Sequence, residues 1–100
     1  MRKITNIKIN KPYIIRCWFD NGDIRDLDLE EILQKNSKYA EKVFDGSIFQ
    51  TVKIGINGEL YWKDIAEIKT LKGEIIPCDY DICPDYAYIN STDVSKMTFS

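Results

Sequence analysis

One hundred residues, 44% of them hydrophobic, supply one core and not two, so residues 1–100 are read as a single domain. A chain of this size buries only about 60 to 65% of its unfolded surface, which leaves little stability to support a deep, strained catalytic cleft and argues against an enzyme. With 14 basic and 16 acidic residues the net charge is −2, without the basic surplus that nucleic-acid binding calls for.

Residues 13 to 29 hold two β-rich runs around Asn21-Gly22, the pair that most readily takes the positive φ angles of a two-residue type I′ turn. Such a turn sets Phe19 opposite Ile24, Trp18 opposite Arg25, Cys17 opposite Asp26 and Arg16 opposite Leu27. One face then carries Ile14, Arg16, Trp18, Arg25, Leu27 and Leu29, with Trp18 and Arg25 stacked as ring and cation. The other carries Ile15, Cys17, Phe19, Ile24, Asp26 and Asp28, and is the expected core face near the turn. A helix follows directly, because Asp28 and Glu31 make a capping box, Leu27 and Ile32 a hydrophobic staple, and Leu29, Ile32 and Leu33 share a face. It closes at Lys35-Asn36-Ser37, and Tyr39, Ala40 and Val43 extend the helical pattern to Asp45-Gly46.

A second hairpin is expected from a strand over 49–56, a turn at Asn57-Gly58 and a return strand over 59–62, since Val52, Ile54 and Ile56 alternate with Thr51, Lys53 and Gly55. Residues 64 to 78 admit two readings: a helix capped by Asp64 and Glu67 and ended by Gly73, or a hairpin of 65–71 with 74–78 turning at Lys72-Gly73. A helix of about eight residues is marginal without strong packing, which favours the hairpin. Pro84 suits the first position of a short helical turn over 85–88, and residues 90–100 read as an irregular tail. The expected fold is therefore α+β: a small antiparallel β-sheet built from two or three hairpins, packed with one or two short helices, with a common core over about 5–89.

In its order of features the chain resembles domain-of-unknown-function family 2442, a group of small bacterial proteins. The resemblance rests on Phe19-Asp20-Asn21-Gly22 at a hairpin, Asp28-Leu29 before a short helix, a strand pair from Gly58 ending in Trp62, and the close Asp81-Ile82-Cys83-Pro84-Asp85-Tyr86-Ala87-Tyr88. It covers roughly residues 5 to 89, and departs from the pattern in the longer stretch 63–80 between Trp62 and the close. It implies a small α+β fold and supplies no catalytic residues. Some relatives are joined to a helix-turn-helix domain or encoded beside another small protein, which implies a regulatory or antitoxin-like role.

The chain has no histidine, which removes the commonest general base, the usual partner of a Ser or Cys nucleophile and the commonest zinc ligand. Cys17, Cys78 and Cys83 are an odd number without a secretion signal, so free thiols are expected. Asp79, Asp81 and Asp85 surround Cys78 and Cys83 in sequence and suppress a nucleophilic thiolate. Their C-x-x-x-x-C spacing lacks a second pair for a zinc site. Residues 20 to 31 imitate a calcium loop at their ends, but Gly22 occupies a ligand position and Arg25 the place of the required glycine. No phosphate-binding glycine loop is present, and no cofactor or resident metal is expected.

Charge is unevenly spread along the chain. Arg2, Lys3, Lys8, Lys11 and Arg16 occur in residues 1–16 without an acid, and Asp79, Asp81, Asp85 and Asp93 in residues 79–93 without a base. The two ends are suited to attract one another within a molecule or between two copies, so a homodimer is among the expected partnerships. The start Met-Arg-Lys-Ile-Thr-Asn lacks the apolar stretch of a signal peptide, and no apolar run approaches the ~20 residues of a membrane span, so a cytoplasmic location without membrane contact is expected.

The leading expectation is a non-catalytic protein-interaction or regulatory module that meets a protein partner through its acidic, aromatic close. Trp18, Arg25, Trp62, Asp81, Asp85, Tyr86 and Tyr88 form the candidate surface, tyrosine rings giving contact area and acids complementing a basic partner. The alternative is a small cysteine- or metal-dependent enzyme or sensor using Cys78, Cys83 and Asp81.

Overall fold

The computed structural model describes residues 2–11, 13–33 and 38–94. Strands β1 (Ile4–Lys11), β2 (Ile14–Phe19) and β3 (Ile24–Asp28) form an antiparallel meander. The β2–β3 connection is a three-residue loop and not the two-residue turn expected from Asn21-Gly22. Gly22, at φ +93°, donates its N–H to the Phe19 carbonyl at 3.0 Å, while the Phe19 N–H reaches the Asp23 carbonyl at 2.9 Å. This is a type I turn closed by a left-handed glycine. The extra loop residue shifts the register by one: Trp18 faces Ile24, Cys17 faces Arg25, Arg16 faces Asp26 and Ile15 faces Leu27. The expected Trp18–Arg25 pairing is thereby corrected. Ile15, Cys17, Phe19 and Leu27 turn into the core, and Arg16 meets Asp26 on the other face in an ion pair of 2.8 Å.

Helix α1 (Leu29–Leu33) starts where the cap predicts, the Asp28 carboxylate accepting the Glu30 N–H at 3.0 Å. Leu29 and Leu33 are buried beneath it, and the expected helix end at Lys35-Asn36-Ser37 lies outside the described residues. Helix α2 (Lys38–Val43) carries Val43 into the core. The expected strand over 49–56 is corrected to a helical turn, α3 (Gly46–Phe49), followed by only two strand residues, β4 (Lys53–Ile54). The cause is Asp45, whose carboxylate accepts the Ser47 N–H at 2.9 Å and the Ser47 hydroxyl at 2.7 Å and so nucleates a helix.

Strands β5 (Leu60–Lys69) and β6 (Ile75–Ile82) complete a second antiparallel sheet in the order β4-β5-β6. Both of its loops repeat the first loop's geometry, ending in Gly58 at φ +79° and Gly73 at φ +85°. Residues 64 to 78 thus form the hairpin that was favoured over the helical reading, and its strands run further than expected. A bulge at residues 63 to 65 places Asp64 at φ +60°, with its N–H held by the Asp79 carboxylate at 3.1 Å. Helix α4 (Pro84–Ile89) begins on its proline. Residues expected to be tail instead form β7 (Thr92–Asp93), which adds a fourth strand to the first sheet beside β3, and Val94 is buried after donating its N–H to the Ile24 carbonyl at 2.9 Å.

The α+β class holds, with two antiparallel sheets and four short helices among the described residues. Their apolar faces share one core, in which Ile4, Ile15, Cys17, Phe19 and Leu27 of the first sheet meet Leu60, Trp62 and Ile82 of the second. The far half of the β5–β6 hairpin leaves this body. From Glu67 to Pro77 every residue is exposed except Thr70, on both faces of the ribbon, and the molecule measures 55 × 26 × 21 Å.

Candidate interaction surfaces

The seven candidate surface residues divide into three groups. Trp62 is corrected outright: it is wholly buried, and its indole Nε1 donates to the Phe49 carbonyl at 3.2 Å. A tryptophan on the inner face of β5 is a large apolar body with one polar atom, and α3 supplies the acceptor that lets both be buried together. It anchors the helical turn to the sheet and offers nothing to a partner.

Arg25, Asp85 and Tyr88 form a second group that ties the chain's ends to the first hairpin. The Asp85 carboxylate accepts the Arg2 N–H at 2.9 Å. The guanidinium carbons of Arg2 and Arg25 lie 4.0 Å and 4.4 Å from the Tyr88 ring centroid. Arg25 also donates to the Ser91 hydroxyl at 2.8 Å and to its carbonyl, Phe19 meets Tyr88 edge-on at 5.0 Å, and the Tyr88 hydroxyl donates to Asp23. The basic start and the acidic end thus touch within one molecule, but through the Arg2 backbone N–H on Asp85 and the Arg2 guanidinium over the Tyr88 ring, and not through an ion pair between Arg2 and Asp85. These contacts hold α4 against the first sheet, so the three side chains are largely occupied in the fold.

Trp18, Asp81 and Tyr86 remain accessible. Trp18 is half-buried beside Ile24 on the outer face of the first sheet, and Tyr86 is 46% exposed on α4. Asp81 stands opposite Tyr61 on the outer face of the second sheet, where an open groove of ≈ 310 Å³ is lined by Ile56, Glu59, Tyr61, Lys63, Asp79 and Asp81.

The cysteine and metal alternative depends on convergence that the strand geometry opposes. Cys78 and Asp81 are three positions apart on β6 and therefore point to opposite faces. Among the described residues no three Cys, Asp or Glu side chains group to hold an ion. Cys17 is buried, and desolvation chiefly, with the nearby Asp26 charge, pushes its thiol up to about 12. That is the wrong direction for a nucleophile. Burial also raises the Tyr80 hydroxyl, helped by Tyr86 and Asp81, beside the Trp62 ring it packs against at 6.1 Å.

The surface that sequence reasoning missed is the arm. Ile68 is 56% exposed, Leu71 108%, Ile75 64% and Ile76 48%, all within nine residues. Ile75 and Ile76 are consecutive in a strand, so they put apolar side chains on both faces at once. That doublet was the available signal. No family model matches the chain, and no curated protein or solved structure is significantly similar to it.

Proposed function

We propose that the chain is a non-catalytic protein-interaction module that works through the β5–β6 arm. The observation that carries this reading is the run of exposed apolar side chains, Ile68, Leu71, Ile75 and Ile76, on a ribbon that stands clear of the core. Exposed apolar side chains gathered on one small element mark a docking site, and a two-stranded ribbon is marginal in water unless something packs on it. The remaining chemistry agrees. Among the described side chains Cys17 is the one fully buried ionisable group, whereas catalytic acids and bases are tuned by burial. The groove beside Asp81 and the exposed Tyr86 provide a secondary acidic and aromatic contact for a basic partner. A regulatory or antitoxin-like role is one use of such a module.

Photo-crosslinking from a benzophenone side chain at Leu71, in the cells that make the protein, tests this reading. A discrete adduct that disappears when Ile75→Asp is added is expected. Absence of any adduct, with the labelled protein folded and expressed, would remove the arm as an interface.

A further inference from the structure

Among the described residues the two sheets end in four edge strands, which are not equally open to a further strand. β4 and β7 are only two residues long. In β6, the bond from the Thr70 N–H to the Glu74 carbonyl, 2.8 Å, makes 70 with 74, 68 with 76 and 66 with 78 the pairs that exchange hydrogen bonds. The backbone of residue 77 therefore faces outward, where proline has no N–H to offer. β1 is eight residues long and holds no proline.

The outward groups of β1 follow from the hairpin beside it. The Phe19 N–H reaches the Asp23 carbonyl at 2.9 Å and the Leu29 N–H the Tyr13 carbonyl at 2.8 Å, so the odd-numbered residues of β2 turn their backbones toward β3. Arg16 and Trp18 then bond to their β1 partners Lys8 and Asn6, and the backbones of Ile7 and Ile9 face away from the sheet. Ile9 has no backbone partner among the described residues, and the Ile7 N–H is covered only by the Asn6 side chain at 3.0 Å.

We propose, independently of the arm, that the β1 edge at Ile7 to Ile9 accepts an extended acidic segment of a partner protein as an antiparallel fifth strand of the first sheet. Ile7 and Ile9 each exchange hydrogen bonds with the incoming strand, and Lys8 forms the closely spaced, non-bonded pair between them. Ile7 and Ile9 share the core-facing side with Cys17 and Ile15, and Ile9 is 36% exposed, so apolar residues are set against them. Lys8 is exposed on the reverse face, and the residue against it is Asp or Glu. Residues 1–19 contain no acid, and the Asp26 carboxylate is already engaged by Arg16, so Lys8 has no ion-pair partner among the described residues. The recognised pattern is thus apolar, acidic, apolar in an extended chain. A second β1 is a poorer occupant, because the register that uses both Ile7 and Ile9 sets Lys8 against Lys8.

NMR titration of the full chain with the blocked peptide Val-Glu-Val-Glu-Val tests the proposal, alongside Val-Lys-Val-Lys-Val and the Glu peptide N-methylated at its valines. The Glu peptide is expected to shift the Ile7 and Ile9 amides and to protect the Ile9 N–H from exchange. The N-methylated form keeps the charges but loses the backbone donors, and should bind roughly tenfold more weakly. Lys8→Glu should reverse the preference between the Glu and Lys peptides, changing each affinity about fivefold. Ile9→Pro removes an outward donor without costing a bond to β2 and should abolish binding, with circular dichroism verifying that each variant folds. No saturable shift at Ile9 up to millimolar peptide, equal binding of the N-methylated form, or an unchanged preference in Lys8→Glu overturns the proposal. Self-association that sedimentation shows to be lost in Ile9→Pro, with no peptide bound, assigns the edge to a second copy and overturns it equally.

Discussion

Gly58 and Gly73 close geometrically equivalent loops at nearly equal φ, +79° and +85°, yet their surroundings are opposite. A Cβ at Gly73 would enter open space. A Cβ at Gly58 would lie 2.6 Å from Lys3 Cβ, 2.7 Å from Lys3 Cα and 2.9 Å from the Ile4 nitrogen, because β1 crosses this loop and the Ile4 N–H donates to the Gly58 carbonyl at 3.1 Å. The left-handed backbone costs alanine about 1 to 2 kcal/mol at either site. At Gly58 the collision with backbone atoms adds about 1 to 3 kcal/mol, as overpacking does, since β1 must move to relieve it. Gly58→Ala is therefore expected to lose about 2 to 5 kcal/mol and Gly73→Ala about 1 to 2 kcal/mol. Urea unfolding followed by tryptophan fluorescence measures both, and amide exchange at Ile4 reports on the crossing directly. Equal losses, with Ile4 equally protected in both variants, would refute the claim that the crossing of β1 over the second sheet's loop helps hold the two sheets together.

Other substitutions probe separate parts of the fold. Trp62→Phe should cost about 2 to 4 kcal/mol in urea unfolding, since it opens a cavity and leaves the Phe49 carbonyl without its donor. With its thiol pushed up to about 12 by burial, Cys17 should resist a thiol reagent at pH 8 until the chain unfolds, while Cys78 and Cys83 react in the native protein, a count that mass spectrometry settles. Three fast thiols would contradict it. Hydrogen bonds from the Ser47 hydroxyl and N–H hold the Asp45 carboxyl below its ordinary value of 3.8, so its stabilising contribution is complete above that value and is lost as pH falls through the lower folded value. Asp45→Asn should then narrow its stability gap from wild type as the pH drops below 3.8, and parallel acid-unfolding curves would contradict this.

Turn positions were legible in the sequence, whereas loop lengths were not. Asn21-Gly22 satisfies a two-residue turn and a three-residue loop equally well, because both need a glycine of positive φ. Only the second matches this register, and the difference of one residue moved Arg25 from beside Trp18 to beside Tyr88. Alternation within a single strand survived the error, which is why Ile15, Cys17 and Phe19 still fell on the core face. The alternation of Val52, Ile54 and Ile56 misled for another reason: Asp45 set a helical turn upstream, and Ile56 ended in a loop with 94% exposure. Trp62 carried no local mark of burial, since its acceptor lies thirteen residues away in a helix the pattern did not reveal. Tyr88 was singled out as a contact residue for its ring, and that ring is spent on two arginines from elsewhere in the chain. Ile75-Ile76 was the plainest clue left unused, two adjacent apolar strand residues that cannot both face the core.

Hydrogen exchange across residues 65–78 tests most directly whether the arm exists to be covered. In dilute protein, the account predicts that amides of the arm exchange far faster than those of Ile15, Cys17 and Leu27 in the core, and that they become protected once a partner is bound. An arm as slowly exchanging as the core in a dilute monomer would show a ribbon that is stable alone, and would contradict its role as an interface.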